Sequence, residues 1–201
     1  MITIPGYSIG KQIGSGGMAT VYEGRQDSLD RPVAIKVMQQ QLAMQADVVE
    51  RFDSESYIIA QLNHPHIVQV IDRGLSVDNT PYFIMGLLQG EDLAQRLKRS
   101  GLGFNEKLDI LIQVCKALAY AHKNGVIHRD IKPANIFIDT EGHAHVLDFG
   151  IAHFLGKEDG QILHSGEDQT QPGTIMGTLA YMSPEQQQSA HLVTPLSDLY
   201  S

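Results

Sequence analysis

The sequence predicts an α+β chain of two lobes, a strand-rich first part followed by a mainly helical second part. Three observations predict it. The first forty residues form short apolar runs broken by polar turns, the apolar spacing switches to a helical period near residue 47, and Gly86 and Gly90 punctuate the passage into a second helical pattern. A length of 201 residues suits one ordinary domain or two small lobes.

Taken in order, residues 7–13 and 20–24 read as strands flanking a glycine-rich turn, and 31–38 as a third strand after the hairpin loop Asp27-Ser28-Leu29-Asp30. Val48, Phe52, Ile59 and Leu62 recur at helical spacing and predict an amphipathic helix over 47–62. Asn63-His64-Pro65 stops it, because the position before proline resists the α conformation. Two further strands are expected at 67–71 and 81–87. Leu108, Leu111, Ile112, Cys115, Leu118 and Ala119 mark the apolar face of a long helix that starts near Asn105 and ends at Asn124-Gly125. Short β-prone pieces follow at 126–127, 136–138 and 145–147, and 156–172 is a Gly/Ser/Gln/Asp-rich loop.

Composition narrows the function. Apolar residues at 42% and charged residues at 19% are those of a globular chain. A net charge of −8 argues against a nucleic-acid or anionic-membrane surface, both of which favour a basic patch. With Cys115 as its single cysteine the chain forms no internal disulfide and no cysteine-based zinc site, which fits a reducing, cytoplasmic setting. No apolar run approaches membrane-spanning length, so this segment is expected to make no membrane contact, although a longer parent protein could carry an anchor.

Gly14-Ser15-Gly16-Gly17-Met18-Ala19-Thr20-Val21 lies between two strands. Residues without Cβ atoms let backbone N–H groups close over phosphate oxygens, whereas a glycine cluster by itself is more often just a turn. The strand–turn–strand setting argues against Rossmann and P-loop readings, which need a helix directly after the glycines. Lys36 sits in Val33-Ala34-Ile35-Lys36, where an ordinary strand lysine faces solvent. Glu55 changes that reading. Three residues after Phe52 and four before Ile59, it falls on the apolar face of its helix, where a carboxylate needs a cation, and Lys36 is the candidate.

The most specific string is His128-Arg129-Asp130-Ile131-Lys132-Pro133-Ala134-Asn135, whose key positions recur by chance on the order of 10⁻⁸ per site. With the glycine-rich turn, the Val-Ala-Ile-Lys string and Asp148-Phe149-Gly150, in that order, it resembles the protein kinase superfamily. Gly177-Thr178 and Ser183-Pro184-Glu185 resemble the end of a kinase activation segment. The chain is most similar to the bacterial eukaryotic-like (Hanks-type) Ser/Thr kinases, and the resemblance runs from Tyr7 to the last residue.

The resemblance implies a bilobal kinase fold: a small antiparallel N-lobe sheet with one helix over 1–86, and a partial, mainly helical C-lobe over 87–201 whose 148–185 is the activation segment. It implies transfer of the γ-phosphoryl of ATP to Ser/Thr hydroxyls of proteins, with Mg²⁺ or Mn²⁺. Asp130 would orient the acceptor hydroxyl, Lys132 would offset charge at the γ-phosphate, Lys36 would hold the α/β-phosphates and Glu55 would hold Lys36. Asn135 and Asp148 would be the metal ligands. Adenine would sit between the lobes beneath Ile13, Val21 and Ala34, with Met85 as gatekeeper and the backbone of Gly86 and Leu88 at the purine edge. Arg129 would bind an activation-loop phosphate, for which Thr170 and Thr174 are candidate acceptors against a plain reading as solvated loop threonines. Thr178 would help position substrate. Self-association would serve autophosphorylation in trans.

Departures are Ala19 at the third loop-glycine position, Gly86 at an often acidic hinge position, Ser183 for alanine, and His153 where arginine is common. His143, His145 and His153 show no zinc-ligand constellation. The ending at Ser201 resembles an interrupted large-lobe helix, with Asp198 supporting the catalytic loop and Glu185 short of its usual arginine, so low stability or weak activity is expected of the chain alone. A nucleotide-sensing scaffold would be expected to lack Lys36, Asp130 or Asp148, all present. A small-molecule phosphotransferase would not need Lys132 or the 148–185 segment.

Overall fold

β-Branched residues alternating with smaller or polar ones build the first sheet. In the computed structural model, which describes residues 2–16, 19–44, 49, 56–57, 59–99, 101–149, 180–189 and 192–201, strands β1 (Tyr7–Ser15), β2 (Ala19–Gln26), β3 (Arg31–Met38), β4 (Val70–Leu75) and β5 (Pro81–Gly86) form an antiparallel sheet of order β1-β2-β3-β5-β4. Val33, Ile35 and Val37 of β3 join Ile4, Tyr82 and Ile84 in a buried cluster on one face. By strand alternation Ala34 and Lys36 face the other way. Of the described residues in the helix expected over 47–62, those at 49, 56–57 and 59–60 are helical, whereas 61 is a turn and 62 has left the helix, so it ends two residues early. Buried Ser56 accepts a hydrogen bond from Arg73 Nη1 of β4 at 3.1 Å, and the Arg73 guanidinium lies 5.7 Å from the Tyr57 ring centre.

The strand expected at 67–71 lies further on, at β4. Ile67 and Val68 are buried, yet Ile67 makes only an isolated bridge to Val146, while Asp72 and Arg73 stand within the strand. β4 is an edge, and an edge strand with one side open tolerates charged residues that apolar patterning reads as a strand's end.

In the remaining chain, β6 (Gly90–Asp92), β7 (Ile136–Asp139) and β8 (Ala144–Val146) pair antiparallel. Helix α1 (Leu93–Arg99) begins where Asp92 Oδ1 accepts from Gln95 N at 2.8 Å. Helix α2 (Phe104–Lys123) ends in a Schellman motif: Val126 N bonds Ala121 O, Gly125 N bonds His122 O, both at 3.0 Å, and Gly125 has φ 76°. Val126 thus closes a helix and does not start the strand expected at 126–127. The buried stripe of α2 is Ile110, Val114, Ala117, Leu118 and Ala121. Leu108, Leu111 and Ile112, expected on that face, are exposed: α2 is apolar on two sides. Leu111 and Cys115 join Ile110, Val114 and Leu118 of the buried stripe in lining a cavity of about 280 Å³. Two short helices, α3 (Pro184–Gln188) and α4 (Pro195–Tyr200), each begin with a capping box.

The chain divides into two compact units, Met1–His64 with Val68–Gln89, and Pro65–Ile67 with Gly90–Ser201. The sequence reading put the division after residue 86. No helix among the described residues is long and apolar enough to cross a membrane.

Candidate active site

The reaction-centre string lies wholly in the second unit, between α2 and β7, and nearly every polar group in it is committed. Asp198, 3% exposed at the start of α4, accepts three hydrogen bonds: from His128 N at 2.8 Å, from Arg129 N at 2.7 Å and from His122 Nε2 at 2.7 Å. Arg129 has φ 69°, a left-handed conformation that costs a non-glycine residue about 1–2 kcal/mol. Such a residue persists where its surroundings over-determine it, and here its N–H is held by Asp198 and its C=O by Gln186 Nε2 at 2.7 Å.

His128 is fully buried and works as a neutral linker. Its Nε2–H donates to Leu147 O at 2.7 Å and its Nδ1 accepts from Asp130 N at 3.2 Å, which fixes the tautomer. Burial pushes the imidazole below its usual value near 6.5, against the opposing pull of the Leu147 hydrogen bond and of Asp198, Asp130 and Asp148. Leu147 N also bonds Asn135 O at 2.9 Å, and the Phe149 ring lies 4.7 Å from the His128 ring. Asp148, at φ 43°, is therefore bracketed on both sides by residues pinned to the same loop.

Asp130 faces two donors at one carboxylate oxygen: Lys132 Nζ and Asn135 Nδ2 each lie 2.8 Å from Oδ2. The same Asn135 nitrogen donates to Asp130 O at 2.7 Å. Both amide protons of Asn135 thus point at Asp130, and its Oδ1 accepts no hydrogen bond from the described residues. This amide oxygen, with the Asp148 carboxylate, is a hard donor pair suited to Mg²⁺, which keeps several waters and takes few protein ligands.

The other candidates lie in the first unit. Gly16 N bonds Ala19 O at 2.9 Å to close the glycine-rich turn, and Gln39 Nε2 donates to Gly16 O at 3.0 Å. Register aligns Ser15 with Thr20, Gly14 with Val21, Val21 with Lys36, Lys36 with Phe83 and Ala34 with Met85. Directly opposed residues in an antiparallel pair share a face. Val21, Ala34, Lys36 and Met85 therefore occupy the one sheet face, opposite the Val33–Ile35–Val37 cluster. Ile13 is 46% exposed on the irregular part of β1, Leu88 is half-buried, and the Gly86 amide is committed to Gln69 O at 3.2 Å. Gly17, Met18, Glu55, Thr170, Thr174 and Thr178 lie outside the described residues.

Two contributors were absent from the sequence reading. His122 on the last turn of α2 carries no motif, and only its position one step from buried Ala121 hints at an inward role. Gln186 is legible as the N3 residue of a Ser183 capping box, but nothing local announces its second bond to Arg129. Glu185, expected to stand without its arginine, accepts from Ser197 Oγ at 2.5 Å, which holds its carboxyl below the usual range. His143 and His145 both turn to Asp139, at 3.6 and 2.8 Å.

The sheet, the clamped loop and the Asp-Phe segment define a class, and comparison with known proteins agrees: the chain belongs to the protein kinase domain family, which matches residues 7–201. Among individual relatives it is similar to the serine/threonine-protein kinase PknA of Mycobacterium tuberculosis, 39% identical over all of this chain and 46% of that protein, and to PrkC of Bacillus subtilis, 38% identical over 97% of this chain and 28% of that one. The crystal structure of the M. tuberculosis PknI kinase domain superposes with a TM-score of 0.67 at 33% identity, covering 75% of this chain and 60% of that one. The chain thus spans under half the length of these two curated relatives, both named Ser/Thr kinases.

Proposed function

We propose that the chain phosphorylates serine and threonine hydroxyls of proteins with ATP, on the cytoplasmic side, and that Thr170 and Thr174 of its own activation segment are among the acceptors. One observation carries the reading: a carboxylate, Asp130, gripped by a lysine and a doubly donating asparagine on a loop whose backbone is clamped. That arrangement favours phosphoryl transfer, where little covalent work falls to the protein and positioning with charge compensation is most of catalysis.

Asp130 accepts the proton of the acceptor hydroxyl as its oxygen bonds to the γ-phosphorus. The bond from that phosphorus to the ADP oxygen breaks, and ADP carries away the electron pair. Lys132, already beside Asp130, offsets charge on the transferring group. Lys36 holds the α/β-phosphates, Glu55 orients Lys36, and the backbone of residues 14–21 covers the phosphates. Val21, Ala34 and Met85, on the same face as Lys36, give the base an apolar surface. Asn135 and Asp148 would hold a divalent ion, which when bound would neutralise phosphate charge.

The test offers the chain radiolabelled ATP with Mg²⁺, casein-like proteins and small alcohols, followed by mass spectrometry of the activation segment. Label on protein Ser/Thr and on Thr170 or Thr174 is expected. Label on small alcohols alone would replace the reading with a small-molecule phosphotransferase, and ATP binding without transfer would replace it with a nucleotide-sensing scaffold.

A further inference from the structure

Gln186 makes three hydrogen bonds that join two distant parts of the chain. Its Oε1 accepts from Ser183 N at 3.0 Å and its backbone N–H donates to Ser183 Oγ at 3.4 Å, which together start α3. Its Nε2 donates to Arg129 O at 2.7 Å, 57 residues away in sequence. The consequence lies in the peptide plane. Arg129 C=O and Asp130 N–H belong to one rigid peptide group, and that group is held at both ends, by Gln186 Nε2 at the oxygen and by His128 Nδ1 at the N–H, 3.2 Å away. The two preceding amides, of His128 and Arg129, are held by Asp198. Asp198 and His128 fix N–H groups, and Gln186 supplies the carbonyl restraint on the plane that aims the Asp130 side chain.

From this geometry we infer that Gln186 is a positioning residue for the proposed kinase reaction. Through it, the segment that follows the activation loop sets the orientation of Asp130. Because Gln186 stands on α3, displacement of α3 withdraws the donor from Arg129 O and loosens the peptide plane in front of the base. The inference rests on the kinase reading and deepens it: the end of the activation segment controls the reacting carboxylate directly through the backbone, independently of any contact with nucleotide.

Two substitutions separate the donor from the cap. Q186E keeps an acceptor for Ser183 N but loses the donor and sets a carboxylate against the Arg129 carbonyl; Q186K keeps a donor and gives up the acceptor. The expected result is a fall in kcat of at least about tenfold for Q186E, since small misplacements of a reacting group are costly. KM for ATP stays unchanged, amide exchange at residues 128–130 becomes faster, and Q186K recovers most of the lost rate. A wild-type rate in Q186E, unchanged exchange at 128–130, or equal losses in Q186E and Q186K would each overturn the inference. A wild-type chain that transfers no phosphate would instead overturn the kinase reading, so the two failures are distinguishable.

Discussion

Around the glycine-rich turn, strand pairing does most of the holding. β1 is largely exposed, a backbone bond from Gly16 to Ala19 spans the turn among the described residues, and Gln39 steadies it from the end of β3. Between His128 and Asn135 the holding is done by side chains from far along the chain: Asp198, His122 and Gln186 reach in, and His128 and Asn135 tie the loop to itself and to Leu147. The difference matches what each region is proposed to do. A backbone cover proposed to open and close over phosphates is, at its described residues, held mainly by strand pairing. A carboxylate that meets a hydroxyl proton must not wander, so its backbone is fixed amide by amide.

The sharpest way to break that contrast is Asp198→Ala. It strips the acceptor from two loop amides and from His122, and each unsatisfied buried donor costs about 1–3 kcal/mol. Urea unfolding should shift by several kcal/mol and phosphoryl transfer should vanish; a shift below about 1 kcal/mol would show that the loop does not depend on this clamp. Asp130→Asn comes next, with kcat lowered about 10²- to 10⁴-fold and stability nearly unchanged, measured by steady-state transfer and by melting. The strand region offers the counterpart pair. A Cβ on Gly24 would run into Ile35 Cδ1 and within 2.9 Å of Ser8 O, so Gly24→Ala should cost about 1–3 kcal/mol. At Gly16 the nearest atom to a new Cβ is Ala19 O at 3.9 Å, so Gly16→Ala should change stability by less than about 0.5 kcal/mol.

The mildest test is pH. Burial lowers the folded-state pKa of His128, so in the window below its unfolded value near 6.5 the unfolded chain binds the extra proton. Its contribution to stability is complete above that value and declines as pH falls below it. Melting temperature should begin to drop below about pH 6.5 in the wild type, and the loss in this window should be absent from His128→Asn.

These features were unequally legible in the sequence. β3, the long helix and the His-Arg-Asp string are local: alternation, helical period and motif order announce them within a few residues. α1 was missed because seven residues are too few for a period to emerge, although the Asp92–Gln95 cap that starts it is written in the chain. The buried face of α2 was misassigned because Leu108, Leu111 and Ile112 are as apolar as Ile110 and Val114, and composition does not say which stripe packs. In the site, residue types were readable, and so, through the resemblance, was the support that Asp198 gives the catalytic loop; the other couplings were not. That Asn135 spends both amide protons on Asp130, or that Gln186 reaches Arg129, follows from tertiary placement alone.

The clamp at Asp198 also imposes an order on events during synthesis. His128 leaves the ribosome 70 residues ahead of the aspartate that fixes its amide. At roughly 5–20 residues per second, the loop waits about 4–14 s for that partner. Until then its left-handed Arg129 lacks the Asp198 bond. The His128–Arg129 backbone of a nascent chain therefore stays without this clamp until α4 has been made and docks.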